Sequence, residues 1–112
     1  MASFERFAVV RVPFPFTDRQ VEKNRPALII SDGAAFNRPA GHSVLAMITS
    51  ASHAPWPLDI PIIDLKSAGL PAPSIVRFKL FTLDHRLVRG TLGRLAAKDR
   101  AKMQRAIRLL LP

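Results

Sequence analysis

Apolar residues fall in short runs, broken by Pro, Gly and Asn joints, until one helical pattern closes the chain. Phe7–Val12 is rich in β-branched residues and reads as a strand. Pro13 and Pro15 are expected to stop its pairing and to open a long loop from Pro13 to Asn24. Pro26–Ile30 reads as a second strand, closed by Ser31-Asp32-Gly33, and Ala34–Phe36 as one helical turn. Ser43–Ile48 is a third strand, whose almost unbroken apolar run predicts burial on both faces. Ser50–Pro57 is a loop, and Asp59–Ile63 a short strand that Pro61 confines to an edge. After a Gly/Pro loop, Ser67–Pro73, come strands at Ser74–Leu83 and Leu87–Leu92, joined at Asp84-His85-Arg86. Ala97–Leu111 is helical, with Met103, Ile107 and Leu110 spaced as an apolar stripe. Short strands followed by one helix predict a single domain over residues 1–112, mainly β with a C-terminal helix. The expected form is a small β-barrel with the helix packed on it. Its sheet edges need pairing or cover, which makes a dimer reasonable.

Charge changes this picture more than composition does. Seventeen Lys and Arg stand against eight Asp and Glu, for a net +9. From Arg77 onward there are ten basic and two acidic residues. Such a surplus favours a polyanion, and nucleic acid is the expected partner. Cysteine is absent, which excludes disulfides and thiolate metal sites. There is no apolar run of membrane-spanning length and no apolar stretch near Met1 of the secretion-signal kind. A cytoplasmic protein with no membrane partner is expected.

The eight acids are scattered without a tight motif, and His42, His53 and His85 lack ligand spacing. Glycine-rich phosphate loops are missing too. Neither a metal nor a cofactor is expected. RNA can be cleaved without one, because its own 2′-OH can attack the adjacent phosphate. That reaction needs proton transfer and a cation on the developing phosphorane. Arg25 stands where the first long loop enters a strand, with Pro26 fixing the chain after it. Its planar fork would suit phosphate oxygens. Thr49 stands where the third strand meets a loop and offers a hydroxyl. Phe14, Phe16, Trp56 and Phe81 are candidate stacking surfaces for unpaired bases. His53 could carry a proton near neutral pH.

Five blocks occur in order: Val12-Pro-Phe-Pro-Phe-Thr-Asp18, Asn24-Arg-Pro-Ala-Leu-Ile-Ile30, Ile48-Thr-Ser50, Lys79-Leu-Phe-Thr-Leu-Asp84 and Gly93-Arg-Leu95. The set resembles the MazF/PemK toxins of type II toxin–antitoxin systems, over roughly Phe7 to Leu111. The resemblance implies an SH3-like small β-barrel of the MazF/PemK/CcdB type and a homodimer. It also implies sequence-specific, metal-independent cleavage of single-stranded RNA, with messenger RNA the expected target. The products would be a 2′,3′-cyclic phosphate and a 5′-OH. A cognate antitoxin would neutralise the enzyme by blocking its RNA groove with an acidic or apolar segment. The family's catalytic arginine and threonine map onto Arg25 and Thr49. Phe14, Phe16, Thr17, Lys23, Ser50, His53, Trp56, Arg77 and Lys79 are the expected RNA-binding residues.

Members with an arginine and an acid close together before the Thr-Leu-Asp segment carry that acid where this chain has Phe78 and Lys79. Arg77 is therefore expected to bind RNA, and the proton acceptor is unassigned. Arginine is a poor base because it almost never gives up its proton. Two other classes fit the same residues: a non-cleaving nucleic-acid-binding module, and a gyrase-directed toxin on the same barrel.

Overall fold

The computed structural model describes residues 4–14 and 23–112, apart from the side chain of Phe14. The strands are β1 (Ala8–Phe14), β2 (Lys23–Ile29), β3 (His42–Ser50), β4 (Ile60–Pro61), β5 (Ser74–Asp84) and β6 (Gly90–Arg94). A helical turn at Gly33–Asn37 runs into α1 (Arg38–Ala40), α2 is Leu65–Ala68, and α3 is Ala97–Leu110. The strands form one antiparallel sheet in the order β4-β5-β3-β2-β1-β6. It curls into a half-barrel with the C-terminal helix packed on it, as the resemblance implies. Among the described residues no helix is long and apolar enough to cross a membrane.

Strand side chains alternate between faces, and here both faces are apolar. Val9, Leu28, Ala46, Ile48 and Val76 pack toward Met103 and Ala106 of α3. On the other face Val10, Val12, Ala27, Ile29, Leu45 and Leu83 form a second cluster. β3 contributes to both, so the predicted two-sided burial holds. Pro61 does lie on an edge strand.

Three expectations fail for local reasons. Pro13 does not end pairing: β1 continues through Pro13 opposite Asn24 and Phe14 opposite Lys23. The β1–β6 ladder ends at Arg11–Gly90, so Pro13 has no ladder with β6 to interrupt. The predicted loop at Ser67 contains the end of α2, whose N-cap Asp64 accepts from the Ser67 N–H at 3.0 Å. Gly69 closes α2 at φ +73, and a Cβ there would lie 2.1 Å from the Leu92 carbonyl oxygen. The last predicted strand starts late, at Gly90. Asp84 caps a tight helical turn at His85–Leu87 instead, accepting from the Arg86 N–H at 2.9 Å.

Beside the apolar stripe of α3, the first turn of the helix turns in a carboxylate. Asp99 is 1% exposed and accepts from the N–H groups of Ile63 (3.1 Å) and Asp64 (3.0 Å). It thereby ties the segment after β4 to α3. Two backbone donors depend on it, and hydrogen bonds to a charged group contribute about 1.5–3 kcal/mol each. Asp99→Ala is expected to lower stability by about 2–4 kcal/mol in urea unfolding, with the far-ultraviolet dichroism of the folded state unchanged.

Candidate active-site cleft

β2 and β3 stay paired from Ile29–Leu45 to Ala27–Met47. The next residue of β2 is Pro26, which has no N–H to extend the ladder. Arg25 and Thr49 each stand two residues beyond the last pair, on the two strands that separate there. Both belong to the face of Ala27 and Ile29, the face turned away from α3. Arg25 is exposed and Thr49 half-buried. A guanidinium and a hydroxyl thus flank the point where the sheet parts.

The chain beyond Thr49 is folded back tightly. The His53 N–H donates to the Ser50 carbonyl (3.2 Å) and the Ser52 N–H to Ser50 Oγ (3.3 Å). Ser50 Oγ also meets Ser52 Oγ at 2.9 Å. This turn returns His53 to the strand, where its Nδ1 is hydrogen-bonded to Thr49 Oγ1 at 2.6 Å. Ser50, expected on RNA, is the residue that fixes the turn.

Further along, the loop is pinned to β5. Arg77 donates from Nε to Asp59 Oδ1 (3.2 Å) and from Nη2 to Asp59 Oδ2 (2.9 Å). Its Nη2 also donates to the Ala54 carbonyl at 2.6 Å. The two side chains are only 11% and 14% exposed. Asp59 Oδ2 accepts from the Trp56 N–H as well (2.9 Å). The guanidinium holds the Asp59 carboxyl below its ordinary range; burial opposes this, and the Trp56 N–H assists. The acid beside Arg77 is thus Asp59, from the segment before β4, and not a neighbour on β5. Its signal in the sequence was faint: a lone acid after Pro55-Trp56-Pro57.

Between Ala46–Leu80 and Met47–Arg77 the register shifts, so Phe78 and Lys79 are extra residues on β5. Bulges of this kind re-aim side chains. Lys79 Nζ lies 4.7 Å from the centroid of the Trp56 ring, with Arg77 Cζ at 6.0 Å. Trp56 is 41% exposed, so an indole between prolines presents a partly open surface beside two cations. Lys23 is exposed at the start of β2. Phe16, Thr17 and the Phe14 side chain lie outside the described residues.

The other histidines sit at the far end of β3. His85 Nε2 meets Ser43 Oγ at 2.7 Å, and its ring stacks on Phe4 with centroids 3.7 Å apart. Burial and the neighbouring His42 push His85 below the usual imidazole range. Among the described residues no three His, Asp or Glu side chains gather as a metal site. A cleft of about 340 Å³ opens near the far end of β2, lined by Arg6, Arg38, Arg94 and Arg100 together with Glu5 and Asp32. It lies away from Arg25: Arg6 Nε is bound there to the Ile30 carbonyl at 3.0 Å.

A curled β half-barrel with one C-terminal helix is the fold of the MazF-type toxins. The chain belongs to the family of PemK-like, MazF-like toxins of type II toxin–antitoxin systems, matching it over residues 5–111. Three solved structures show the likeness. A mycobacterial endoribonuclease in complex with its cognate antitoxin is 22% identical with a TM-score of 0.74, covering 100% of this chain and 98% of that one. A MazE–MazF complex from Deinococcus radiodurans is 20% identical with a TM-score of 0.77, covering 99% and 97%. MazF alone from that organism is 24% identical with a TM-score of 0.71, covering 96% and 94%. Against curated proteins the sequence has no match.

The Arg77–Asp59 pair predicts an acid limb in loop order. Because Asp59 titrates lower folded than unfolded, its contribution is present above its ordinary value of 3.8 and lost as pH falls through the depressed value. Trp56, the one tryptophan, reports this directly. Its fluorescence is expected to change as pH falls below 3.8, and Asp59→Asn is expected to show the changed spectrum already at pH 7. An unchanged Trp56 spectrum in Asp59→Asn would show that the pair does not hold the loop.

Proposed function

We propose that this chain is a sequence-specific, metal-independent endoribonuclease toxin that cleaves single-stranded RNA, messenger RNA above all. It acts as a homodimer in the cytoplasm and is neutralised by a cognate antitoxin. One observation carries the reading: an exposed guanidinium at Arg25 and the Thr49 hydroxyl flank the parting of β2 and β3 on the face turned away from α3. Family membership supports it. So do the names of the fold's solved relatives, an endoribonuclease with its antitoxin and a MazE–MazF pair.

The chemistry follows from these groups. The 2′-oxygen attacks the adjacent phosphorus, and the P–O5′ bond breaks with its electron pair leaving on oxygen. A 2′,3′-cyclic phosphate and a 5′-OH result. Arg25 binds the non-bridging oxygens and holds the charge that grows on them, a role its permanent charge and forked donors suit. That positive charge stands where other nucleases use a metal. Thr49 orients the phosphate by a hydroxyl hydrogen bond. Lys23 and Lys79 attract the backbone, and Trp56 offers a stacking face for an unpaired base. Arg77 contributes by holding the Trp56 loop. An antitoxin segment that is acidic or apolar would compete for the cleft.

Long single-stranded RNA incubated with the protein in EDTA is expected to be cut, and Arg25→Ala to slow cutting about 100- to 1,000-fold. Cleavage by Arg25→Ala within a few-fold of wild type would remove Arg25 from the site. RNA binding without cleavage would favour the non-cleaving module, and gyrase inhibition without RNA cleavage the gyrase-directed toxin. RNA affinity is expected to fall steadily as salt rises, because bound cations release counterions from phosphates. A flat response in a filter-binding series from low to moderate salt would rule out an electrostatic groove.

A further inference from the structure

We infer that His53 is the general base of the reaction, taking the 2′-OH proton on Nε2 while Nδ1 is occupied by Thr49; the inference rests on the ribonuclease reading above. Arg25 cannot fill this role, since guanidinium does not give up its proton. Thr49 is no base either. A third group must sit within reach of the same phosphate, and His53 is bonded to Thr49 itself, Nδ1 to Oγ1 at 2.6 Å.

The two ring nitrogens have different surroundings. Nδ1 is taken by Thr49, and Nε2 has no partner among the described residues. When Nδ1–H donates to Thr49 Oγ1, the neutral ring presents Nε2 as an acceptor. The same bond leaves the Thr49 hydroxyl proton free for a phosphate oxygen. One tautomer therefore prepares both residues at once. The protons balance. The 2′-OH proton goes to Nε2 as the 2′-oxygen bonds to phosphorus. The departing 5′-oxygen takes a proton from water, and the imidazolium returns its proton to the hydroxide left behind.

The base is also held in place. The Ser50–His53 turn fixes its backbone, and the Arg77–Asp59 pair with the Ala54 carbonyl anchors the chain immediately after it. Preorganisation of this kind is what a positioned acid–base group requires. The charged groups on the elements around His53 are Asp59 on its own loop, Arg77, Lys79 and, at the far end, Asp84 on β5, and Lys23 and Arg25 on β2. Asp59 and Arg77 offset each other in their ion pair. His42 and His85 are excluded because both stand at the opposite end of β3, and His85 is packed between Phe4 and Ser43.

Single-turnover cleavage of a short RNA across pH 5–9 tests the assignment, with wild type, His53→Asn and His53→Ala compared. Asparagine keeps a donor toward Thr49 but has no acceptor in place of Nε2. The wild-type rate is expected to rise with pH along a limb that both variants lack. At the plateau both are expected to be about 100- to 10,000-fold slower. Free imidazole is expected to restore part of the His53→Ala rate, which a purely structural loss would not allow. RNA affinity is expected to stay within a few-fold. Variants that cut at near wild-type rates with the same pH limb overturn the assignment and leave the ribonuclease reading standing. Loss of an alkaline limb instead would make His53 the acid and overturn it equally. Folded wild-type protein that leaves RNA intact overturns both readings together.

Discussion

The geometry of the cleft depends on the ion pair between Arg77 and Asp59. The pair crosses from β5 to the segment between β3 and β4, and the same guanidinium reaches the Ala54 carbonyl. Without it, residues 54–59 would lose their hydrogen bonds to β5. With it, Trp56 lies beside Lys79 and the turn carrying His53 is held against Thr49. Breaking one partner of a largely buried pair leaves an uncompensated charge, so the two side chains enforce one loop conformation together.

Much of the fold was legible because the strands obey simple rules. β3 reads as doubly buried from its apolar run, β4 as an edge from Pro61, and α3 from the spacing of Met103 and Ile107. What stayed hidden depends on partners distant in sequence. Pro13 pairs because β6 stops short, which no local pattern announces. Asp99 looks like a first-turn acid suited to the helix dipole, yet its carboxylate is committed to two N–H groups some 35 residues earlier. Asp59 is paired by Arg77, 18 residues further along the chain and on a different strand.

The catalytic candidates divide in the same way. Arg25 and Thr49 were legible only through family blocks, since each alone is an ordinary strand residue. That both stand two residues past the last rung of the β2–β3 ladder is a matter of strand pairing that sequence cannot supply. The excess of cations proved less local than its distribution suggested. Arg6, Arg38, Arg94 and Arg100 line a separate cleft near the far end of β2, and Arg38 is paired with Glu5 there at 2.6 Å. Net charge predicted a polyanion partner without indicating where on the surface it would lie.

The two extra residues in β5 carry a mechanical consequence. The ladder with β3 is regular on either side of Phe78-Lys79. Lengthening or trimming this insertion would tilt the indole and its ammonium neighbour while leaving the strand bearing Thr49 in register. The same change would also act through Arg77, which adjoins the insertion and holds Asp59 and the Ala54 carbonyl, so the indole and the turn carrying His53 hang from one irregularity of β5 and move together.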